Sequence, residues 1–221
     1  MVMGLLMKLI VSKRLRFDDG LISLGDMHMN LVPSIFLSEL TKYYLDKNEL
    51  EKLYILSWLA GFTTVRRVVK EFGFTNADEI YGVGMNFTEA MGIGLYKTHD
   101  YYPGRYTHFI IKNNPFLGHL KLPKKRKEPI DYFISGAMGG GGCFVHKTVC
   151  QNVEVKCMSM GHKICEFLTG TEKELKSRKL WKTAEKRYNL KKYLPFQKDV
   201  YKNYTDKKSE EFVEKLNDLI Q

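Results

Sequence analysis

The apolar positions of this chain change period along its length. Over residues 5–25 they come in short runs, and Leu15 to Phe17 and Leu21 to Leu24 flank Asp18-Asp19-Gly20, a tight-turn sequence that predicts a hairpin. The spacing then becomes helical. Pro33 suits a first helical position, and Ile35, Leu37, Leu40 and Tyr44 follow on one face. A second helix is predicted over residues 48–72, with Asn48 as its cap and Glu51 as the capping-box partner. Its stripe of Leu50, Tyr54, Trp58, Phe62, Val65, Val69 and Phe72 reads as core or as a dimer face. A third helix is expected over 76–91, stopped by Gly92 and Gly94, then strands over 95–99 and 106–112 around a tyrosine-bearing turn. Residues 130–149 leave two readings. Gly136 and Gly139 to Gly142 disfavour an isolated helix, yet permit one packed closely against a neighbour. Residues 152–159 and 164–168 read as a hairpin around Met160-Gly161-His162-Lys163, and helices are predicted over 172–188 and 209–220, parted near Pro195.

Composition changes the picture in three places. With 44% hydrophobic and 13% aromatic residues the 221-residue chain can bury a core, which excludes general disorder. No apolar run approaches the roughly 18 residues of a transmembrane helix. The apolar start, Met1 to Met7, has no leading cationic region and is followed by Lys8, so it reads as the beginning of a strand and not as a signal peptide. A cytoplasmic, reducing location is therefore expected for the four cysteines. The net charge of +10 is unevenly spread. Residues 171–221 hold 14 Lys and Arg against 9 Asp and Glu, half of the excess in about a quarter of the chain. This divides the sequence into a domain at 1–170 and a basic helical extension at 171–221.

The cysteines lie together between Cys143 and Cys165. Cys157 and Cys165 are eight positions apart with Gly161 midway, so an antiparallel hairpin would set them face to face. Two facing thiolates supply half of a tetrahedral site and favour zinc over calcium or magnesium; a reduced buried pair or a cross-strand disulfide is the alternative.

The segment Glu154-Val-Lys-Cys157-Met-Ser-Met-Gly161-His-Lys-Ile-Cys165-Glu-Phe resembles the closing hairpin of the 4-vinyl reductase domain family: Glu, Cys three later, Gly four after that, Cys four later again, then an aromatic. Upstream, Pro129-Ile-Asp131-Tyr-Phe-Ile-Ser-Gly136 followed by Gly140 is similar to that family's Pro, apolar, Cys, aromatic, Gly segment, at ungapped spacing. Met91-Gly-Ile-Gly94 and Asn113-Asn-Pro115-Phe116 resemble two of its turns. The likeness is specific over about 105–169 and weaker over 30–104.

The resemblance implies an α/β (α+β) domain, an antiparallel sheet packed with helices, in the ligand-binding fold shared with Golgi-transport proteins. It implies a structural zinc held by Asp131, Glu154, Cys157 and Cys165, with Asp131 standing where the family has cysteine. Cys143, His146 and Cys150 are the other residues able to complete the set. Two thiolates and two carboxylates leave a Zn²⁺ site at −2, which Lys156, His162 or Lys163 could offset. Glu154 and Cys157 differ by an odd number and would face opposite ways on a regular strand, so both can bind one ion only if a bulge intervenes or Glu154 lies before the regular strand. The implied function is binding or sensing of a small hydrophobic or aromatic molecule, as a homodimer. Apolar residues at 85–87, 93–96 and 109–111 suit such a pocket, and equally an ordinary core.

Two other functions are weighed against this one. The family name implies reduction of a tetrapyrrole vinyl group, but no dinucleotide or flavin motif supplies the electrons. The interleaved aromatics and lysines of the extension could contact nucleic acid, or could form amphipathic helices docked on the domain, and no DNA-binding signature favours the former. Gly136 to Gly142 lacks the Gly-Lys-Ser/Thr of a phosphate loop. No histidine pair has metal-protease spacing, and Cys143 or Cys150 with His146 is the remaining Cys/His combination; no catalytic residue is assigned.

Overall fold

The computed structural model describes residues 15–18, 21–24, 27–29, 33–90, 92–120 and 126–221. The strand expected from residue 5, the tip of the first hairpin and residues 124–125 of the basic loop lie outside them. Three short strands, β1 (Leu15–Asp18), β2 (Leu21–Leu24) and β3 (Met27–Met29), form an antiparallel sheet, with Leu15 opposite Leu24 as the hairpin reading requires. The helices α1 (Ser34–Asp46), α2 (Leu50–Phe72) and α3 (Ala77–Ala90) follow. Asn48 does not cap α2. It sits at φ 57° in the link after α1, and Glu49 occupies the cap position without a side-chain cap bond. Asparagine tolerates the left-handed region, and that use of its short side chain prevails over capping.

The main sheet holds β4 (Leu95–Tyr102), β5 (Tyr106–Lys112), β6 (Cys150–Lys156) and β7 (Cys165–Thr171) in the order β4-β5-β7-β6, antiparallel throughout. A four-residue helix α4 (Pro115–Gly118) follows β5, and α5 (Tyr132–His146) precedes β6. The antiparallel sheet packed with helices is the architecture expected.

The glycine-rich stretch resolves in favour of the helix. A methyl group added at Gly136 would lie 2.3 Å from the Tyr54 carbonyl oxygen, and one at Gly140 would lie 2.0 Å from that of Trp58. Gly61 of α2 makes the reciprocal approach, 2.2 Å from the Ala137 carbonyl oxygen. Here α2 and α5 meet backbone to backbone, closer than any side chain permits. Around this contact Tyr54, Trp58 and Phe62 are buried, and the Trp58 indole donates to the Cys150 carbonyl at 3.1 Å.

The C-terminal residues form α6 (Glu172–Ser177), α7 (Trp181–Arg187), α8 (Leu190–Asn203) and α9 (Ser209–Ile220). The single helix expected over 172–188 is broken where Lys179 takes φ 60°. Pro195 lies inside α8 instead of ending it. The missing N–H costs a hydrogen bond near the helix start, and burial of Leu190, Tyr193, Phe196 and Val200 offsets it. Tyr188 stacks flat on Tyr54 at 3.7 Å, and the Gln197 amide oxygen accepts from Gln151 at 2.8 Å, with Gln151 also bound to the Tyr54 hydroxyl at 2.6 Å. Tyr188, Tyr193, Phe196 and Tyr204 are therefore part of one core with α2 and β6, and their faces are not available to stack on bases.

Candidate metal centre and ligand cavity

Beyond the last β6–β7 ladder pair, Lys156 opposite Glu166, the chain makes one turn of 3₁₀ helix at Met158–Met160 and reverses at Gly161, φ 90°. The register shifts between Glu154 and Lys156, so an extra residue is inserted on β6. This is the bulge that the odd spacing left open, and it brings Glu154 to the side of the following Cys157. The donor atoms of Glu154, Cys157 and Cys165 lie within 4.8 Å of one another, all three side chains buried. This is the one group of three or more potential metal-ligating side chains among the described residues.

Asp131 adjoins this group at the start of α5. Its backbone N–H donates to Glu154 Oε2 at 3.1 Å, and its carboxylate accepts from Ile134 N at 3.0 Å and from the Asn114 amide at 2.5 Å. Glu154 Oε1 is buried without a hydrogen-bond partner.

Negative charge is crowded in this group. The two sulfurs compete for protons: the hydrogen bond from the Cys165 thiol holds Cys157 down at about 5, and the same bond pushes Cys165 up. Burial, then the Cys157 charge, drives Glu154 well above the carboxylate range. Burial likewise pushes Asp131 up to about 7. Four buried acids cannot all ionise together unless positive charge is added, and a divalent ion supplies it. The unpartnered oxygen, the paired sulfurs and the soft donor set fit such an ion.

The hairpin cations are not what faces the site. Lys156 Nζ pairs with Glu166 at 2.6 Å, and His162 and Lys163 are exposed. The nearby positive group comes from α7: Arg187 donates to the Glu154 carbonyl at 2.9 Å. Sequence reasoning missed Arg187, because 33 residues separate it from Glu154 and only the docking of α7 on β6 joins them.

A separate cavity of about 240 Å³ lies between α2, α3, α5 and the sheet. Val65, Val69, Val83, Met85, Phe109 and Met138 give it an apolar wall. Met85, Ile93 and Phe109 were among the apolar runs that suit a pocket; Val65 and Val69 belong to the α2 stripe, which serves core and cavity in succession. Thr64, Tyr81, Thr88, Thr107, Thr169 and His146 also line it, but the hydroxyls of Tyr81, Thr88, Thr107 and Thr169 are bonded to Thr98, the Met85 carbonyl, His146 and Asn152. His146 Nε2 lies 3.2 Å from Thr107 Oγ1, its Nδ1 has no partner, and burial pushes the ring down to about 4. Cys143 Sγ instead meets the Gly139 carbonyl and the Cys150 N–H, both at 3.4 Å. Burial raises the Cys150 thiol, the opposite of what a nucleophile needs, so no Cys/His dyad forms here.

No protein-family model and no curated protein sequence matches this chain. Solved structures do. The phenol-responsive sensory domain of the transcription activator PoxR, crystallised with phenol, aligns at TM-score 0.62 and 20% identity over 78% of this chain and 94% of that one. The chain has the fold of that sensory domain. The ligand-binding fold expected from the hairpin pattern is thus the fold found. Also similar are a trafficking protein particle complex subunit 3 from Naegleria fowleri, covalently bound to palmitic acid, and a vinyl-4-reductase family protein from Methanocaldococcus jannaschii. The first aligns at TM-score 0.48 and 15% identity, over 62% of this chain and 91% of that one. The second aligns at TM-score 0.42 and 17% identity, over 64% of this chain and 82% of that one. No helix of the described residues is long and apolar enough to cross a membrane.

Proposed function

We propose that this chain binds and senses a small, mostly apolar molecule in the cavity between α2, α3 and α5, with a zinc ion at the hairpin as a structural clamp. The cavity carries the reading. Its volume of about 240 Å³ exceeds the roughly 150 Å³ that suffices to hold benzene, and falls short of the roughly 300 Å³ at which drug-sized pockets begin. A single ring or a short chain is the occupant of that size. The apolar wall supplies affinity, and the unpartnered His146 Nδ1 supplies a polar anchor. A phenol-bound sensory domain of the same fold is in keeping with a one-ring ligand.

Zinc would be held by Glu154, Cys157 and Cys165, beside Asp131. The ion would neutralise buried negative charge and fix the hairpin end that follows the bulge. Four free cysteines are in keeping with a reducing, cytoplasmic location. A homodimer belongs to the same proposal, supported by the exposed Ile35, Phe36 and Tyr43 of α1.

Native mass spectrometry of the purified full chain tests these parts together. One zinc per chain and uptake of one phenol or toluene per chain are expected. No uptake of either probe at millimolar concentration, with the fold intact by circular dichroism, overturns the cavity reading. A folded chain without zinc, and with no affinity for added zinc, overturns the clamp.

A further inference from the structure

Asp131 is set apart from the three compact donors by what surrounds it. Its Oδ1 accepts the Ile134 N–H at 3.0 Å and so caps α5. Its Oδ2 accepts from the Asn114 amide nitrogen at 2.5 Å. Asn114 is not free to turn away, because its own Oδ1 takes the Phe116 N–H at 3.0 Å. The same amide nitrogen lies 3.8 Å from Cys165 Sγ, so one fixed donor braces both Asp131 and a sulfur. The Asp131 N–H meanwhile holds Glu154 Oε2 at 3.1 Å, which leaves Oε1 as the unpartnered oxygen. Both Asp131 oxygens thus have protein partners, and the backbone of the same residue aims a neighbour.

Spacing separates them as well. Ligand atoms about 2.0–2.3 Å from one tetrahedral ion lie no more than about 4 Å from each other. Glu154, Cys157 and Cys165 approach that limit, their donor atoms within 4.8 Å of one another, and Asp131 lies outside the group they form. Charge points the same way. Two thiolates and one carboxylate on a divalent ion leave −1, which the Arg187 guanidinium, bonded to the Glu154 carbonyl, can offset; a fourth anionic ligand would add a further buried charge.

We infer that Asp131 is a positioning residue and that an ion held by Glu154, Cys157 and Cys165 keeps one coordination position for an exchangeable small donor. The inference rests on the metal reading above. Three protein ligands with one exchangeable place is the arrangement of zinc sites that bind something, in contrast to closed four-ligand staples. Because the three side chains are at most 1% exposed, the donor class is restricted to water and small anions.

Cobalt(II) makes this visible. The full chain, stripped of metal and reloaded with cobalt, should take up one ion per chain, and azide should shift its visible absorption saturably with the ion still bound. Asp131→Asn should retain one cobalt per chain, bind it no more than about 100-fold more weakly, as for partners that orient a ligand, and keep the azide response. Cys157→Ser should lose stoichiometric binding. A wild-type spectrum that azide leaves unmoved overturns the inference while the metal reading stands, and needs no variant to fold. Failure of the wild type to take up cobalt or zinc overturns both.

Discussion

Replacing Gly140 by alanine adds one methyl group at the place where two helices have no room for it. The new carbon would sit 2.0 Å from the Trp58 carbonyl oxygen and 2.7 Å from Phe62 N, both backbone atoms that no rotamer change can move. A relaxed carbon–oxygen contact is over 1 Å longer, so α2 and α5 must part by about that amount. Overpacking of a tight core costs about 1–3 kcal/mol, and a backbone obstacle belongs at the upper end. At about 2–4 °C per kcal/mol for a chain of this size, Gly140→Ala should lower Tm by about 6–12 °C. Gly82→Ala is the matched control. It lies in α3 with nothing within 4 Å of the added carbon, and relief of the glycine penalty should stabilise it by up to about 1 kcal/mol. Thermal unfolding followed by circular dichroism at equal metal content reads both. If Gly140→Ala melts at or above the wild-type temperature, α2 and α5 are not in backbone contact and the explanation of the glycines fails.

Burial of His146 gives a pH dependence of definite sign. Its folded pKa of about 4 lies below the ordinary 6.5, so between these values the unfolded chain binds the extra proton. Its contribution is complete above about pH 6.5 and is lost as pH falls toward 4, about 3 kcal/mol in all. Denaturant unfolding of the wild type and His146→Gln from pH 7 to 4 should converge by that amount, and parallel curves would remove the buried neutral ring. Tyr188→Ala, which deletes a fully buried ring stacked on Tyr54, should cost about 3–5 kcal/mol, whereas Val213→Ala on the exposed face of α9 should stay within about 0.5 kcal/mol. Equal and small effects in a urea titration would mean that the C-terminal helices do not share the core.

The parts of this fold that were legible in the sequence are those fixed by local period. Strand β5 falls at 106–112 as expected, α9 at 209–220, and the stripe of α2 holds from Leu50 to Phe72. Parity left a bulge between Glu154 and Cys157 or an early Glu154 as the alternatives, and the register shift shows the bulge. What remained hidden depends on partners distant in the chain. Pro195 reads as a stop until the burial of Phe196 and Val200 is known. The third strand, β3, is three residues long, too short to carry a period. Arg187 and Asn114 are an ordinary basic residue and an ordinary cap in the sequence, and become part of the site only through α7 and α4.

The direct contact of α2 with α5 also decides how the cavity can respond to its contents. At Gly61, Gly136 and Gly140 those two helices touch through backbone, where no side chain can swing aside, so they are held at a fixed distance. Across the cavity, α3 contributes Val83, Gly84 and Met85, and none of residues 77–89 is fully buried. The cavity is a vice with one fixed jaw and one compliant jaw. On the proposed ligand reading, a bulkier occupant would gain its space by displacing α3, and the packing of that one helix would set the size limit.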